Sequence, residues 1–191
     1  MILVIDNNTR FLKSVSALLN KYSCHYIVKN IKTVSMAQIR KSDAIVMTGG
    51  PSISNTPKKI LKKQLNIINK TRQTKKPFFG ICLGMQLLCL LYGSPVIRLN
   101  KKRKGFMVIK VKKQNDILKG YKKLRVYENH MHCIRRVSKQ LEILAASRDG
   151  IEAVKVLKKP VYGVEFHPEK RRTNKGYICF ENFLKVIKVK R

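Results

Sequence analysis

Strand-like and helix-like segments alternate over the first 93 residues, and the alternation predicts an α/β fold. The expected architecture is a three-layer, open, mostly parallel sheet with helices on both faces. Two details support it. The strand candidates are short continuous apolar runs, as expected of strands buried on both faces. Two of them, "DAIVMTGGPS" and "KPFFGI", run into glycine-containing turns, and α/β sheets place their sites at the carboxyl ends of their strands.

The elements follow in order. "ILVIDN" (2–7) reads as a buried strand. "RFLKSVSALLNKY" (10–22) carries Phe11, Val15, Leu18 and Leu19 at helical spacing. "CHYIVKN" is a second strand, "SMAQIRKS" a short helix and "DAIVMTGGPS" a third strand with its loop. "PKKILKKQLNIINKTRQ" is an amphipathic helix whose expected buried side is Ile60, Leu61, Leu65 and Ile68. "KPFFGI" is a fourth strand and "LGMQLLCLLYG" a helix closed by Gly93. After residue 95 the pattern predicts a small antiparallel region. Its short strands lie in "PVIRLN", "GFMVIKVKK", "KKLRVYENHMH" and "LEILAAS", and "IEAVKVLKKPVYGVEFHPE" forms a hairpin pair. "NKGYICFENFLKVIKVK" (174–190) is a closing helix. With no linker, repeat or low-complexity tract, one domain over 1–191 is the economical reading.

The apolar fraction, 44%, is ordinary for a globular chain, and no apolar run approaches the roughly 20 residues of a membrane span. The N-terminal run breaks at once into "DNN", a strand and turn rather than a signal peptide, so a cytoplasmic location is expected. Five scattered cysteines, at 24, 82, 89, 133 and 179, form no C-x-x-C pair, which speaks against a disulfide framework. The charge is lopsided: 42 Lys+Arg against 10 Asp+Glu, net +32. The basic residues are spread out, with short clusters at "KKRK" (101–104) and "KRR" (170–172), and abundant Lys, Ile and Asn fit a compositional bias. No RNA-binding motif with interleaved aromatics is present. Weak, salt-dependent attraction to nucleic acid is the expected consequence.

In "GICLG" (80–84) a cysteine stands between two glycines where a strand turns into a helix. That is the pattern of a nucleophile elbow, whose tight turn leaves no room for flanking side chains. Cys82 would lie at a helix N-terminus, where N–H groups and the dipole favour a thiolate, and the Leu83 amide could hold an oxyanion. The bland alternative is a core cysteine, which is the reading for Cys89. Of four histidines, His25 reads as structural, and His167 ends an apolar strand in "YGVEFHPE". Cys82 as nucleophile, His167 as proton relay and Glu169 as orienting acid make a triad, with Glu165 as the rival acid. "HMHC" places His130 and His132 on one strand face, but the spacing fits no common zinc pattern, so no metal is expected.

"TGGPS" (48–52), "GICLGMQ" (80–86) and "YGVEFHPE" (162–169), in this order, resemble the class I glutamine amidotransferases over essentially the whole chain. The resemblance implies a flavodoxin-like sheet and the triad Cys82, His167 and Glu169. It implies an oxyanion hole from Gly49, Gly50 and Leu83, and glutamine contacts from Gln86 and from the stretch with Asn129 and His130. It implies hydrolysis of glutamine through a cysteinyl thioester, with ammonia passed to a synthase partner. "GGPS", "YENHMHCIRRV" and the lack of serine after "HPE" resemble the glutaminase subunit of two-subunit GMP synthases. The partner so implied is an ATP-pyrophosphatase subunit that would carry ATP and Mg²⁺, with no cofactor on this chain. Departures from the family pattern are Asn129 for Ser, His132 for Asp, Glu165 for Gln and Met85 for the frequent His. The early "DNNTRFL" also lacks the usual glycine-glutamine pair. Three alternatives stay open: a glutaminase subunit for chorismate chemistry or another acceptor, a stand-alone γ-glutamyl hydrolase, and a non-enzymatic nucleic-acid binder on an inherited fold.

Overall fold

The computed structural model describes residues 1–170 and 174–188. Arg171 and Arg172 of the basic cluster, Thr173, and the last residues of the expected closing helix lie outside them.

The first half follows the alternating pattern. β1 (Ile2–Asp6), α1 (Leu12–Lys21), β2 (Tyr26–Asn30), α2 (Met36–Lys41) and β3 (Ala44–Met47) come in turn. A single 3₁₀ turn (Ile53–Asn55) precedes α3 (Lys58–Gln73), β4 (Phe78–Ile81) and α4 (Leu83–Leu91). Local chemistry sets several boundaries. Ser35 and Gln38 form a reciprocal capping box at the start of α2, each side chain accepting from the other's backbone N–H. Gly93, at φ +78°, ends the turn after α4 in the left-handed conformation that favours glycine. The second half contains β5 (Val96–Val111), β6 (Lys123–Ile134), β7 (Leu141–Ala146), β8 (Ile151–Val156), β9 (Val161–Val164) and α5 (Tyr177–Lys188).

The nine strands of the described residues join one sheet in the order β2-β1-β3-β4-β9-β8-β6-β5-β7. The pairings β2-β1-β3-β4-β9 are parallel, and every pairing beyond β9 is antiparallel. The expectation of a mostly parallel sheet with a small antiparallel region is therefore corrected: the antiparallel part is a full half of the sheet. The cause is β5. Its two expected strands are one 16-residue strand, and "LNKK" (99–102) is absorbed as an irregularity between Arg98 and Arg103 rather than a turn.

The parallel strands are buried on both faces, and successive side chains alternate between two cores. Ile2 and Val4 of β1 face the core covered by α1 and α5, with Val15, Leu18, Phe180 and Phe183. Leu3 and Ile5 face the core covered by α2, α3 and α4, with Ile39, Ile67, Ile68 and Leu87. The buried side of α3 differs from expectation. Ile68 is fully buried as predicted, but the other buried positions are Gln64, Ile67 and Thr71, while Ile60, Leu61 and Leu65 are only partly covered. Gln64 is drawn inward because its Nε2 donates to Asn7 Oδ1 at 2.9 Å. Among the described residues no helix is long and apolar enough to cross a membrane.

Candidate functional site

Cys82 is the N-cap of α4 and has φ +47°, ψ −104°, a conformation rarely adopted by a residue with a side chain. The surrounding contacts hold it there. Its N–H donates to the Val164 carbonyl at 2.7 Å, and its own carbonyl accepts from Gln86 N at 3.0 Å. The glycines on either side are required by space. A Cβ on Gly80 would lie 2.6 Å from the Gly84 carbonyl carbon, and one on Gly84 would lie 2.6 Å from the Met47 carbonyl oxygen. Strand and helix thus meet backbone to backbone, as the sequence pattern predicts for an elbow. Gly163, unnoticed in the sequence, serves the same packing: a Cβ there would lie 2.9 Å from Met85 Cβ.

His167 follows β9. Its Nδ1 lies 2.8 Å from Glu169 Oε1, and both side chains are buried. Among the described residues its Nε2 is buried without a hydrogen-bond partner. The imidazole is fixed from several sides. Its backbone N–H donates to the Tyr127 carbonyl, Asn174 Nδ2 donates to its carbonyl at 2.7 Å, and Phe11 packs edge-on with centroids 4.8 Å apart. Cys82 and His167 converge on Gly49. A Cβ placed there would lie 3.2 Å from His167 Cε1 and 3.5 Å from Cys82 Cβ. Gly50 is equally confined, since a Cβ would lie 2.5 Å from the Asn7 carbonyl oxygen. Asn7 braces this loop, its Nδ2 donating to the Thr48 carbonyl at 2.8 Å and its Oδ1 accepting from Gln64. Sequence reasoning missed Asn7, Gln64, Phe11 and Asn174 as parts of the site: the first three act through contacts distant along the chain, and Asn174 reaches His167 across seven residues.

Cys82, Leu83, Gln86, Gly50, His167 and the 129–132 stretch border one cavity of about 550 Å³. Gly49 and Glu169 do not line it: Gly49 packs against Cys82 and His167, and Glu169 is bonded to the imidazole. The mouth carries Arg10, Arg98 and Lys102, of which the sequence pointed only to Lys102, within the "KKRK" cluster. His132 Nδ1 lies 3.2 Å from Ser52 Oγ. A larger concavity, about 860 Å³, lies near Pro160 and Tyr177 and has no cysteine or histidine in its lining.

Beneath the cavity the sheet holds an unusual set of carboxyls. Glu165 is not the residue bonded to His167. It accepts from Gln86 Nε2 at 2.8 Å, and burial, with Glu152 and Glu128 adding to it, pushes it up to about 8. Burial pushes Glu128 up to about 7 and Glu152 well above the carboxylate range. Glu128 and Glu152 lie within reach of each other, a contact that bonds only when one of them is protonated. His130 Nε2 stands 3.0 Å from Glu128 Oε2, close enough for attraction but not aligned as a hydrogen bond. Its Nδ1 is 2.6 Å from the His132 carbonyl oxygen. Among the described residues no three His, Cys, Asp or Glu side chains are grouped to hold a metal ion.

The sequence expectation that the helix N-terminus favours a thiolate is outweighed. Burial is the main cause that raises the Cys82 thiol well above its ordinary value, with Glu165, Glu128 and Glu169 adding to it; the Leu83 N–H opposes them only in part.

Fold and site together define a three-layer α/β protein with a strained cysteine elbow beside a histidine–carboxylate pair. The chain belongs to the class I glutamine amidotransferase family, whose sequence model it matches over residues 3–187. It is 32% identical to the A subunit of the glutamine-hydrolyzing GMP synthase of Pyrococcus furiosus, over 97% of this chain and 98% of that protein. The protein of the same name in Methanocaldococcus jannaschii is 32% identical over 97% of each chain. A solved Thermoplasma acidophilum structure, provisionally described as the same GMP synthase component, shares the fold at TM-score 0.88 and 23% identity, covering 100% of this chain and 94% of that one. A Thermotoga maritima glutamine amidotransferase shares it at TM-score 0.78 and 20% identity, over 99% and 84%.

Proposed function

We propose that this chain hydrolyses glutamine to glutamate and ammonia and delivers the ammonia to a separate synthase subunit for the amination of XMP to GMP. The observation that carries the chemistry is the convergence of Cys82, at φ +47°, and the Glu169-held His167 on Gly49. The GMP synthase relatives motivate the acceptor.

The steps follow from the geometry. Glutamine enters the cavity with its side-chain amide at Cys82, near Gln86 and the backbone of Asn129 and His130. The Cys82 thiol proton moves to His167 Nε2 as the sulfur bonds to the amide carbon, so no resting thiolate is needed. Glu169, held at Nδ1, stabilises the imidazolium that forms. The oxyanion faces the Leu83 N–H and the Gly49–Gly50 loop. The C–N bond then breaks, His167 returns the proton to the departing nitrogen, and ammonia leaves a γ-glutamyl thioester on Cys82. Water, deprotonated by His167, attacks the thioester, and glutamate and the thiol are released. This sequence needs no cofactor on this chain. ATP and Mg²⁺ belong to the acceptor side, on an ATP-pyrophosphatase subunit that activates XMP.

The test is glutamate release by the wild type and Cys82→Ala, with and without that subunit loaded with ATP, Mg²⁺ and XMP. Loss of the nucleophile should lower turnover by at least about 10³-fold. Wild-type turnover should rise when the loaded partner is added. Cys82-dependent turnover indifferent to the partner would keep the glutaminase and reject the GMP assignment.

A further inference from the structure

The β5–β6 ribbon has two faces: the inner one is buried, and among the described residues the outer one is largely exposed, with Lys170 Nζ 5.7 Å from the Tyr127 ring at one end. Ile109, Leu124 and Val126 on its inner face are buried in the core beneath. The outer face consists of four cross-strand pairs: Lys104 with Asn129, Phe106 with Tyr127, Val108 with Arg125, and Lys110 with Lys123. Phe106 is 44% exposed and Val108 56%, two of the four large apolar residues that stand out from the surface among the described residues. Arg125 lies over the Phe106 ring at 4.4 Å. Four of these eight residues are cations, and none is an acid.

Two features indicate that something covers this face. Lys110 directly opposes Lys123, and a like-charge pair at such a position opposes strand pairing unless it is neutralised from outside. An exposed aromatic and valine at the centre of a charged rim resemble the dry centre and polar rim of a protein interface. The face is also continuous with the site, since Asn129 at one end of the ribbon borders the catalytic cavity and Tyr127 accepts the His167 backbone N–H.

We propose that this face is the docking surface for the ammonia-accepting synthase subunit, and that the partner presents an acidic surface with an apolar centre. The proposal rests on the function given above. A second copy of this chain is disfavoured, because a two-fold contact would set lysine against lysine. A nucleic acid would neutralise the cations but leave Phe106 and Val108 without a dry contact.

The experiment measures binding of the purified pyrophosphatase subunit, and separately of duplex RNA, to the wild type, Lys110→Glu, Phe106→Ala and Arg125→Glu, together with partner-free glutaminase turnover and Tm. Each variant should weaken binding at least tenfold while partner-free turnover stays within about twofold. Lys110→Glu should at the same time raise Tm, because it converts the Lys110–Lys123 repulsion into attraction. A loss of binding due to misfolding would lower Tm and is thus told apart. Wild type and variants binding the subunit equally would overturn the docking surface alone. No binding of the subunit by the wild type would overturn the partner reading and the surface together. Variants that lose only duplex RNA binding would assign the face to a polyanion and overturn the proposal.

Discussion

Glu165 is placed to influence the pH response of the site without bonding to His167. It stands just after β9, two residues before His167, and accepts from Gln86, whose backbone N–H is bonded to Cys82. Facing it are Gln86, Cys82 and Cys89 from the elbow and α4, Glu128 and His130 from β6, and Glu152 from β8. Burial holds it up to about 8, so its charge appears as pH rises through that value. The new charge further disfavours loss of the Cys82 proton. Glu165→Gln keeps the hydrogen-bond acceptor and removes the titration. The ratio of variant to wild-type kcat/KM should therefore rise several-fold between pH 7 and 9; a flat ratio would sink the argument. Stability gives an independent reading. The folded pKa lies above the unfolded value of 4.5, so the stability linked to Glu165 is fully present below 4.5 and lost as pH rises through about 8. The Tm difference, variant minus wild type, should grow over that interval.

At the scale of elements, the elbow separates two uses of glycine. Gly84 needs room: an alanine methyl would meet the Met47 carbonyl and force β3 from α4. Gly84→Ala should cost about 1–3 kcal/mol in urea unfolding and also depress turnover, because the displaced helix carries Cys82 and Leu83. Gly93 needs only its backbone angle, φ +78°, with open space around it. Gly93→Ala should cost about 1 kcal/mol with turnover unchanged. Equal effects of the two on turnover would contradict this division. The elbow was legible in the sequence because the requirement is local: five consecutive residues, "GICLG", hold both the strained cysteine and the glycines that make room for it. His167 and Glu169 were legible for the same reason, being two residues apart. The extent of the antiparallel half was not, because a glycine and a lysine run read as a turn when isolated, and only pairing with β6 makes them part of one strand. The inward turn of Gln64 was hidden likewise, since its partner Asn7 lies 57 residues away.

The whole molecule separates its charges. Of ten acidic residues, Asp6, Glu128, Asp149, Glu152, Glu165 and Glu169 are buried, while no lysine or arginine is buried among the described residues. The outer surface is therefore left with Asp43, Asp116, Glu142 and Glu181 to offset the cations. Such a surface repels itself, and the folded state suffers more than an expanded chain because its charges are held closer together. Salt should relieve this. Between about 20 and 200 mM KCl the Debye length falls from roughly 20 to 7 Å, so repulsion between exposed cations is progressively screened. Tm should rise over that range by several degrees, against the usual small response of a balanced protein. Polyanion binding must respond with the opposite sign, because counterion release weakens as salt increases. Heparin should thus raise Tm at 20 mM KCl by binding the folded state, and the increment should vanish as KCl approaches about 0.5 M. A Tm indifferent to KCl would mean that the excess is already compensated within the fold. A heparin increment that persists in high salt would mean a shaped polyanion site instead of a diffuse field.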